Sequence, residues 1–397
     1  LLAAFTHAKQ NLLPQLKFSH IAQNELEALG HLNDIAQDKD GFIWLGAAKG
    51  LARYDGYELT IFRHRPDREG IPTNWVERLL VTSDGKLWLT TREGFCRFNA
   101  DHVDFSCNTI DAEGPTYDYL FEDSRGQLLL TSNAGVFIVD QATLELRLYP
   151  NQWLQEQTQG GDRYVSIITE DNQGRLWLGH YEAGLTRFNP TTGKGMRWRK
   201  GEAGLTSDKI RSLMFDNRGR LWIGTQGAGA LLFNTDQKSA TTFTHDKAEQ
   251  ADTVWDIVQD RRGLIWIGDG TGVHVVSPLD LSTESHQFVE GKPLTPGNYV
   301  ARTLFEDKNG GIWIGYFPSG VDLVDEQGSQ FVSYRHDPRD SSSLPDGGVL
   351  ATLEAANGDL WVGAGFGLGL LKREHDIFVH FKHDPEDPKS LSGSTIL

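Results

Sequence analysis

One phrase recurs along the chain: Asp, two residues, Gly, two residues, Trp, one residue, Gly. It appears as Asp38-Lys39-Asp40-Gly41-Phe42-Ile43-Trp44-Leu45-Gly46 and returns around Trp177, Trp222, Trp266 and Trp313 and, with departures, around Trp88 and Trp361. A degenerate copy, Asp123-Ser124-Arg125-Gly126-Gln127-Leu128-Leu129-Leu130, has Leu129 where the others have Trp. Successive anchors lie 44, 41, 48, 45, 44, 47 and 48 residues apart. That period belongs to a propeller blade or to a helical repeat. Apolar and polar residues alternate inside each copy with the two-residue step of strands, which removes the helical option.

Each copy divides into four short strands. In the sixth, Val254–Asp260 leads into a turn, Leu264–Gly268 carries the anchor, Gly272–Val276 follows a Gly-rich link, and His286-Gln287-Phe288-Val289 reads as the fourth strand. Glycine in the first turn suits a backbone position with φ above zero, and the Asp before it can accept amides across that turn. A Trp in every blade fills the wedge between neighbouring sheets, whose apolar faces one blade alone could not cover. Trp44, Trp88, Trp177, Trp222, Trp266, Trp313 and Trp361 therefore read as core anchors, whereas Trp198, outside the series, is expected to matter much less. The 43 Gly and 11 Trp against 2 Met have the texture of many short strands. The expected class is all-β, a β-propeller of four-stranded blades, with no substantial helix over residues 16–397.

The run Gly41-Phe42-Ile43-Trp44-Leu45-Gly46, followed by Gly50-Leu51-Ala52-Arg53-Tyr54-Asp55-Gly56, resembles the two-component regulator propeller repeat, as does Gly204-Leu205-Thr206-Ser207-Asp208-Lys209-Ile210-Arg211-Ser212-Leu213. The resemblance implies the periplasmic sensor region of a hybrid or sensor histidine kinase or a diguanylate cyclase. It further implies two seven-bladed rings ahead of a membrane helix and an output domain, and a homodimer in the full-length protein. Leu129 in place of Trp, Thr82 and Ala355 in place of the turn Asp, and Thr90 in place of the Gly after the anchor put the regularity of blades two, three and eight in question.

Eight anchors admit two rings. The preferred reading is seven blades with the eighth unit opening a second propeller; the alternative is one eight-bladed ring. The expected divisions are 1–15, a signal-peptide tail or N-terminal extension; 16–336, repeats one to seven; and 337–397, the eighth repeat and the opening strand of a ninth. Leu1-Leu2-Ala3-Ala4-Phe5-Thr6-His7-Ala8 has the apolar run and small residues of an export signal's end, with a short helix as the alternative. Leu16-Lys17-Phe18-Ser19-His20-Ile21 resembles a fourth strand that could complete the last blade and protect its edge. Cys96 and Cys107 fall on neighbouring strands where they could face each other; two separate buried thiols are the expectation, with a disulfide the alternative in an oxidising compartment.

A formal charge of −16, with no basic stripe, argues against a nucleic-acid partner. No stretch approaches the ~20 apolar residues of a membrane helix, so any membrane association belongs to segments outside this chain. In a propeller the first strand of each blade lines the channel, and the loops after the second strands gather on one face, where pocket-forming variety collects. The loops supply His180, Tyr181, Gln226, Asp269, Tyr316 and Phe317; the channel strands supply Arg78, Tyr119, Arg211, Trp255, Asp256 and Arg302. Aromatics beside Arg and Asp suit an unknown small molecule, a glycan or an anion, through stacking and charged hydrogen bonds. The alternative is that these groups satisfy one another across a solvated channel. No catalytic residue, metal ligand or cofactor is assigned, since no His-x-x-x-His, Cys-x-x-Cys or Gly-x-Ser-x-Gly occurs. The functional expectation is a periplasmic ligand sensor; an exported propeller lyase or glycan hydrolase, or an interaction platform, are the other readings.

Overall fold

The computed structural model describes residues 16, 18–21, 26–66, 70–101, 103–109, 116–158, 164–235, 239–243, 253–287, 300–324, 341–355, 359–372, 377–393 and 395. The expected leader segment 1–15, the Phe288-Val289 end of the sixth fourth strand and Ser394, Ile396 and Leu397 of the expected ninth strand lie outside these residues. The chain divides into two compact units, Leu1–Glu326 and Gln327–Leu397. Eight four-stranded antiparallel sheets are present, blades two, three and eight among them. In the first unit the inner strands are Leu32–Gln37, Val76–Val81, Tyr117–Glu122, Val165–Glu170, Ile210–Phe215, Val254–Gln259 and Val300–Glu306. The second unit holds one sheet, Val349–Glu354, Leu360–Ala364, Gly367–Lys372 and Ile377–Phe381, built on Val362, Leu371 and Phe378.

The repeated phrase is a hydrogen-bond circuit. In blade one, Oδ1 of Asp38 accepts the amides of Asp40 and Phe42, each at 3.0 Å, while Oδ2 accepts the indole Nε1–H of Trp44 at 2.7 Å. Asp171, Asp216, Asp260 and Asp307 repeat this, with indole bonds of 2.8, 3.0, 2.9 and 2.8 Å. The turn Gly makes it geometrically accessible, with φ between 71° and 95° in blades one to seven. The Gly two after the anchor serves a different need: a Cβ on Gly179 would stand 2.6 Å from Ile210 of the next blade. Thr90, which replaces that Gly in blade two, instead donates to the Asp118 carbonyl of blade three at 3.0 Å.

The degenerate blades lose complementary halves of the circuit. Blade two keeps Trp88 but has Thr82 for Asp, and the buried Trp88 indole N–H has no acceptor among the described residues. Blade three keeps Asp123 but has Leu129 for Trp, and the Oδ2 left by the missing indole takes the guanidinium of Arg125, with Nε at 2.9 Å.

A second bond links blades. The last residue of an inner strand accepts the amide of the turn on the preceding blade: Ser83 to Glu122 at 2.6 Å, Ser124 to Glu170 at 2.6 Å, Asn217 to Gln259 at 2.7 Å and Arg261 to Glu306 at 3.0 Å. Lys308 of blade seven donates in the same way to Gln37 of blade one at 2.8 Å, and Thr303 reaches Asp34. The N-terminal strand completes blade seven as the sequence suggested, with Ser19 opposite Leu323 and His20 opposite Asp322. The His20 imidazole meets the buried Asp322 carboxylate, which also accepts the Tyr316 hydroxyl at 2.8 Å.

Three expectations need correction, and one short helix is added to the strands. Cys96 and Cys107 are paired across neighbouring strands as a disulfide, not held as separate thiols, because the register sets them directly opposite, with Cα atoms 4.1 Å apart. A helix, Gln152–Thr158, interrupts the all-strand pattern between blades three and four. Asn151 caps it by accepting the Leu154 amide at 3.0 Å, and Trp153 stacks on Phe188 at 6.1 Å. The fourth strand of blade six is Thr283–Gln287, earlier than expected. Trp198 is buried: it stacks on Trp177 at 5.6 Å and meets Phe233 edge-on at 5.5 Å.

Trp222→Ala and Trp198→Ala should therefore both cost roughly 3–5 kcal/mol in urea unfolding. A loss below about 1 kcal/mol at Trp198 would show that its contacts are not core packing. Thr82→Asp should raise stability by about 1 kcal/mol by giving Trp88 its acceptor. An unchanged or lowered Tm would break the circuit argument.

Candidate functional site

Inner strands do not pair continuously with their neighbours. Each register skips near its start: between Leu32 and Asp34, Val76 and Arg78, Tyr117 and Leu120, Val165 and Ile167, Ile210 and Ser212, Val254 and Asp256, and Ala301 and Thr303. A bulge of this kind leaves one residue unpaired and re-aims its side chain. In six blades the unpaired residue is unambiguous: Asn33, Glu77, Ser166, Arg211, Trp255 and Arg302. The wider skip of blade three contributes Asp118. These seven, with Arg78, line one cavity of about 60 Å³.

The charges at this cavity are unevenly satisfied. Arg211 directs Nη2 and Nε at Oε1 of Gln226, at 2.6 and 3.2 Å, with its guanidinium 4.5 Å from the Tyr181 ring centroid and 5.6 Å from that of Trp255. Arg302 lies 5.0 Å from the Trp255 ring and has no hydrogen-bond acceptor among the described residues. Burial, with repulsion from Arg78 and Arg211 and partial relief from Glu77, pulls Arg302 down to about 10. Arg78 donates to the Asn33 carbonyl at 3.3 Å and sits 5.6 Å from the Tyr119 ring; burial opposes its charge, but Asp34 holds its pKa above the ordinary value.

The acids tell the matching story. Burial lifts Asp34 to about 6 against the pull of Arg78 and the Leu79 amide, which Asp34 accepts from blade two at 2.8 Å. Asp256 is raised by burial too, and accepts the Leu304 amide of blade seven at 2.9 Å. Asp118 reaches about 6, again through burial, although the Tyr164 hydroxyl hydrogen-bonds to it. Burial carries Tyr119 to about 12. Trp75, whose indole N–H bonds to Glu77, lies on the approach with His31 at 5.1 Å and the Arg92 guanidinium 3.6 Å from its ring.

Of the residues expected from sequence, Arg211, Trp255 and Arg302 are bulge residues at the cavity, Arg78 lines it, and Tyr181 and Gln226 flank Arg211. Tyr119 packs beneath Arg78, and Asp256 serves the contact between blades. His180, Asp269 and Tyr316 do not join them. All three stand three residues after an anchor, at a fully buried position that closes the hairpin from the second to the third strand. There His180 meets Thr186 at 2.9 Å, Asp269 meets His274 at 2.9 Å, and Tyr316 meets Asp322. Phe317 is exposed and rests on His31 at 5.2 Å. The missed residues, Asn33, Glu77, Asp118 and Ser166, carried a readable signal: like Arg211, Trp255 and Arg302, each stands eleven positions before its anchor.

Because Asp34 and Asp118 take protons more readily folded than unfolded, they lower stability as pH rises from about 4 to about 6, and this penalty is complete above that. Asp118→Asn keeps an oxygen for Tyr164 and removes its share. Its Tm relative to the parent should climb between pH 4 and pH 7; a flat or falling difference would contradict the assigned environment.

The comparisons with known proteins agree with the fold. Residues 204–227 and 295–317 match the family model described as two component regulator propeller. The extracellular domain of the hybrid two-component system BT3049 of B. thetaiotaomicron superposes with a TM-score of 0.68 at 20% identity, over 96% of this chain and 50% of that one. That of the one-component system BT4673 of the same organism gives 0.61 at 19%, over 96% and 49%. Virginiamycin B lyase from Staphylococcus aureus, in a catalytically inactive form with quinupristin, gives 0.60 at 14%, over 78% and 99%. No curated protein sequence matches the chain. The chain spans about half the length of the two extracellular domains, and at these identities the likeness is one of fold. Residues 204–227 and 295–317 thus carry the two component regulator propeller repeat, and the four-stranded blades that hold them are those of a β-propeller.

Proposed function

We propose that this chain is the ligand-sensing propeller of a periplasmic bacterial signalling protein, with the ligand received at the ring of bulge residues and the signal passed to an output domain outside this chain. The observation that carries the reading is the contrast within each repeat. The turn Asp, the Gly and the anchor are nearly constant, whereas the residue eleven before the anchor is Asn, Glu, Asp, Ser, Arg, Trp and Arg in successive blades. A rigid scaffold that varies one inward position per blade is suited to reading a ligand. The regulator-propeller repeats at 204–227 and 295–317 and the likeness in fold to extracellular domains of two-component-type systems support the reading.

The test is a thermal-shift screen of glycans, organic acids, amino acids and oxyanions on the whole chain, repeated with Arg211→Ala, Arg302→Ala and, on the turn face, Lys86→Ala. A ligand at a hundred times its Kd stabilises by about 2.7 kcal/mol, enough to raise Tm by several degrees. At least one compound should do so, and both arginine variants should lose the shift while Lys86→Ala retains it. A shift that survives both arginine changes would refute this placement.

A further inference from the structure

The cavity presents both charge signs in one small space, and the charge of one lining group, Arg78, is already supported by Asp34 beside it. Glu77 and Asp118 come from blades two and three, Arg211 and Arg302 from blades five and seven, with the Trp255 ring near both guanidinium groups. None of the four is consumed by an ion pair within the described residues. Glu77 takes only the Trp75 indole N–H, Asp118 the Tyr164 hydroxyl, Arg211 the neutral Gln226 oxygen, and Arg302 nothing. Partly buried charges without direct partners are costly, and the cost is recovered when a bound group supplies the opposite charge in hydrogen-bonding geometry.

Resting on the reading of this ring as the ligand site, we propose that it binds a small zwitterion with one carboxylate and one ammonium group, of the size of a simple α-amino acid. The carboxylate faces the guanidinium groups of Arg211 and Arg302, and the ammonium faces Glu77 and Asp118. A lone carboxylate would leave the two acids uncompensated and repelling it; a lone ammonium would meet the arginines in the same way. A neutral sugar would add no charge to the partial relief that Glu77 gives Arg302 and that Arg78 and Arg211 give Asp118. Size points in the same direction: the cavity, about 60 Å³, is well under the ~300 Å³ of ordinary small-molecule pockets and restricts the ligand to a small molecule.

The probes are glycine and L-alanine, with acetate and propionate as carboxylate-only analogues and ethylammonium chloride as the ammonium-only analogue, titrated by calorimetry into the whole chain. At least one of the two amino acids should bind at least tenfold more tightly than any single-charge analogue. Arg302→Ala, Asp118→Asn and Glu77→Gln should each weaken that amino acid at least tenfold, with Lys86→Ala unchanged. Asp118→Asn relieves a buried carboxylate, so loss of binding there, with native far-ultraviolet circular dichroism, is loss of the ammonium contact and not of the fold. If acetate binds as well as glycine and Asp118→Asn is indifferent, the zwitterion is refuted while the site stands. If an amino acid binds with unchanged affinity to Arg302→Ala, the site itself is refuted. Binding of none of the probes, with a screening hit of another class that depends on Arg211 and Arg302, refutes the ligand class alone; binding of none with no such hit counts against both.

Discussion

The regular blades of the first unit are organised by a carboxylate with three donors. A turn Asp accepts two backbone amides and an indole N–H, tying the first turn of a blade to the Trp that fills the gap between blades. Burying an Asp is ordinarily unfavourable. In Asp171 and Asp216 burial does push against the charge, yet the indole, the amide and the Arg bonds outweigh it and hold both carboxyls below the usual range. The same group therefore shapes the turn, fixes the rotamer of the core aromatic and satisfies the one polar atom that Trp brings into the core. Blades two and three show how far the circuit can be dismantled. Each loses one partner and still forms four strands, because wedge packing by Trp88 or Leu129 persists without the bond.

With the outer end of each blade fixed in this way, the inner strand can carry a bulge at constant offset. The bulge does two jobs at adjacent positions. Its unpaired residue points into the cavity, and the next residue, as in Asp34, Ser212 and Asp256, bonds to the following blade's inner strand. Ser166 and Asn33 combine the two, bonding to the carbonyls of Ile210 at 2.7 Å and Val76 at 2.8 Å. Cavity chemistry and blade spacing are thus properties of one dipeptide per blade.

The period, the four strands and the anchor Trp were legible because each repeats and because strand alternation and turn glycines are local signals. Half of the site was not, and the reason is specific. Polar and aromatic residues after the anchor, such as His180, Asp269 and Tyr316, have the chemistry of a binding rim, but the second strand ends inside the wall there, where a side chain can only close its own hairpin. Glu77 and Asp118 have unremarkable chemistry and were passed over. Only register separates the two sets, and a bulge leaves no mark in composition. Trp198 escaped for a related reason: fourth strands are mostly exposed, and its burial comes from reaching back over Trp177 toward Phe233 of the next blade. The disulfide turned on register too, since the turn between two short strands decides whether Cys96 and Cys107 meet or pass.

The adjacency of cavity residue and blade contact bears on how occupancy of the ring could be felt at a distance. A ligand group held by Arg302 acts on the strand whose neighbouring Thr303 reaches Asp34, the contact between blades seven and one. Held by Arg211, it acts next to Ser212, which accepts the Ile257 amide at 3.1 Å between blades five and six. Arg78, which lines the cavity, favours the ionised form of both Asp34 and Asp256 against burial. Those two carboxylates accept amides across blade boundaries, and an ionised acceptor bonds more strongly than a protonated one. A ligand that stabilised the charged form of these acids would, by reciprocity, bind more tightly when the boundaries are closed.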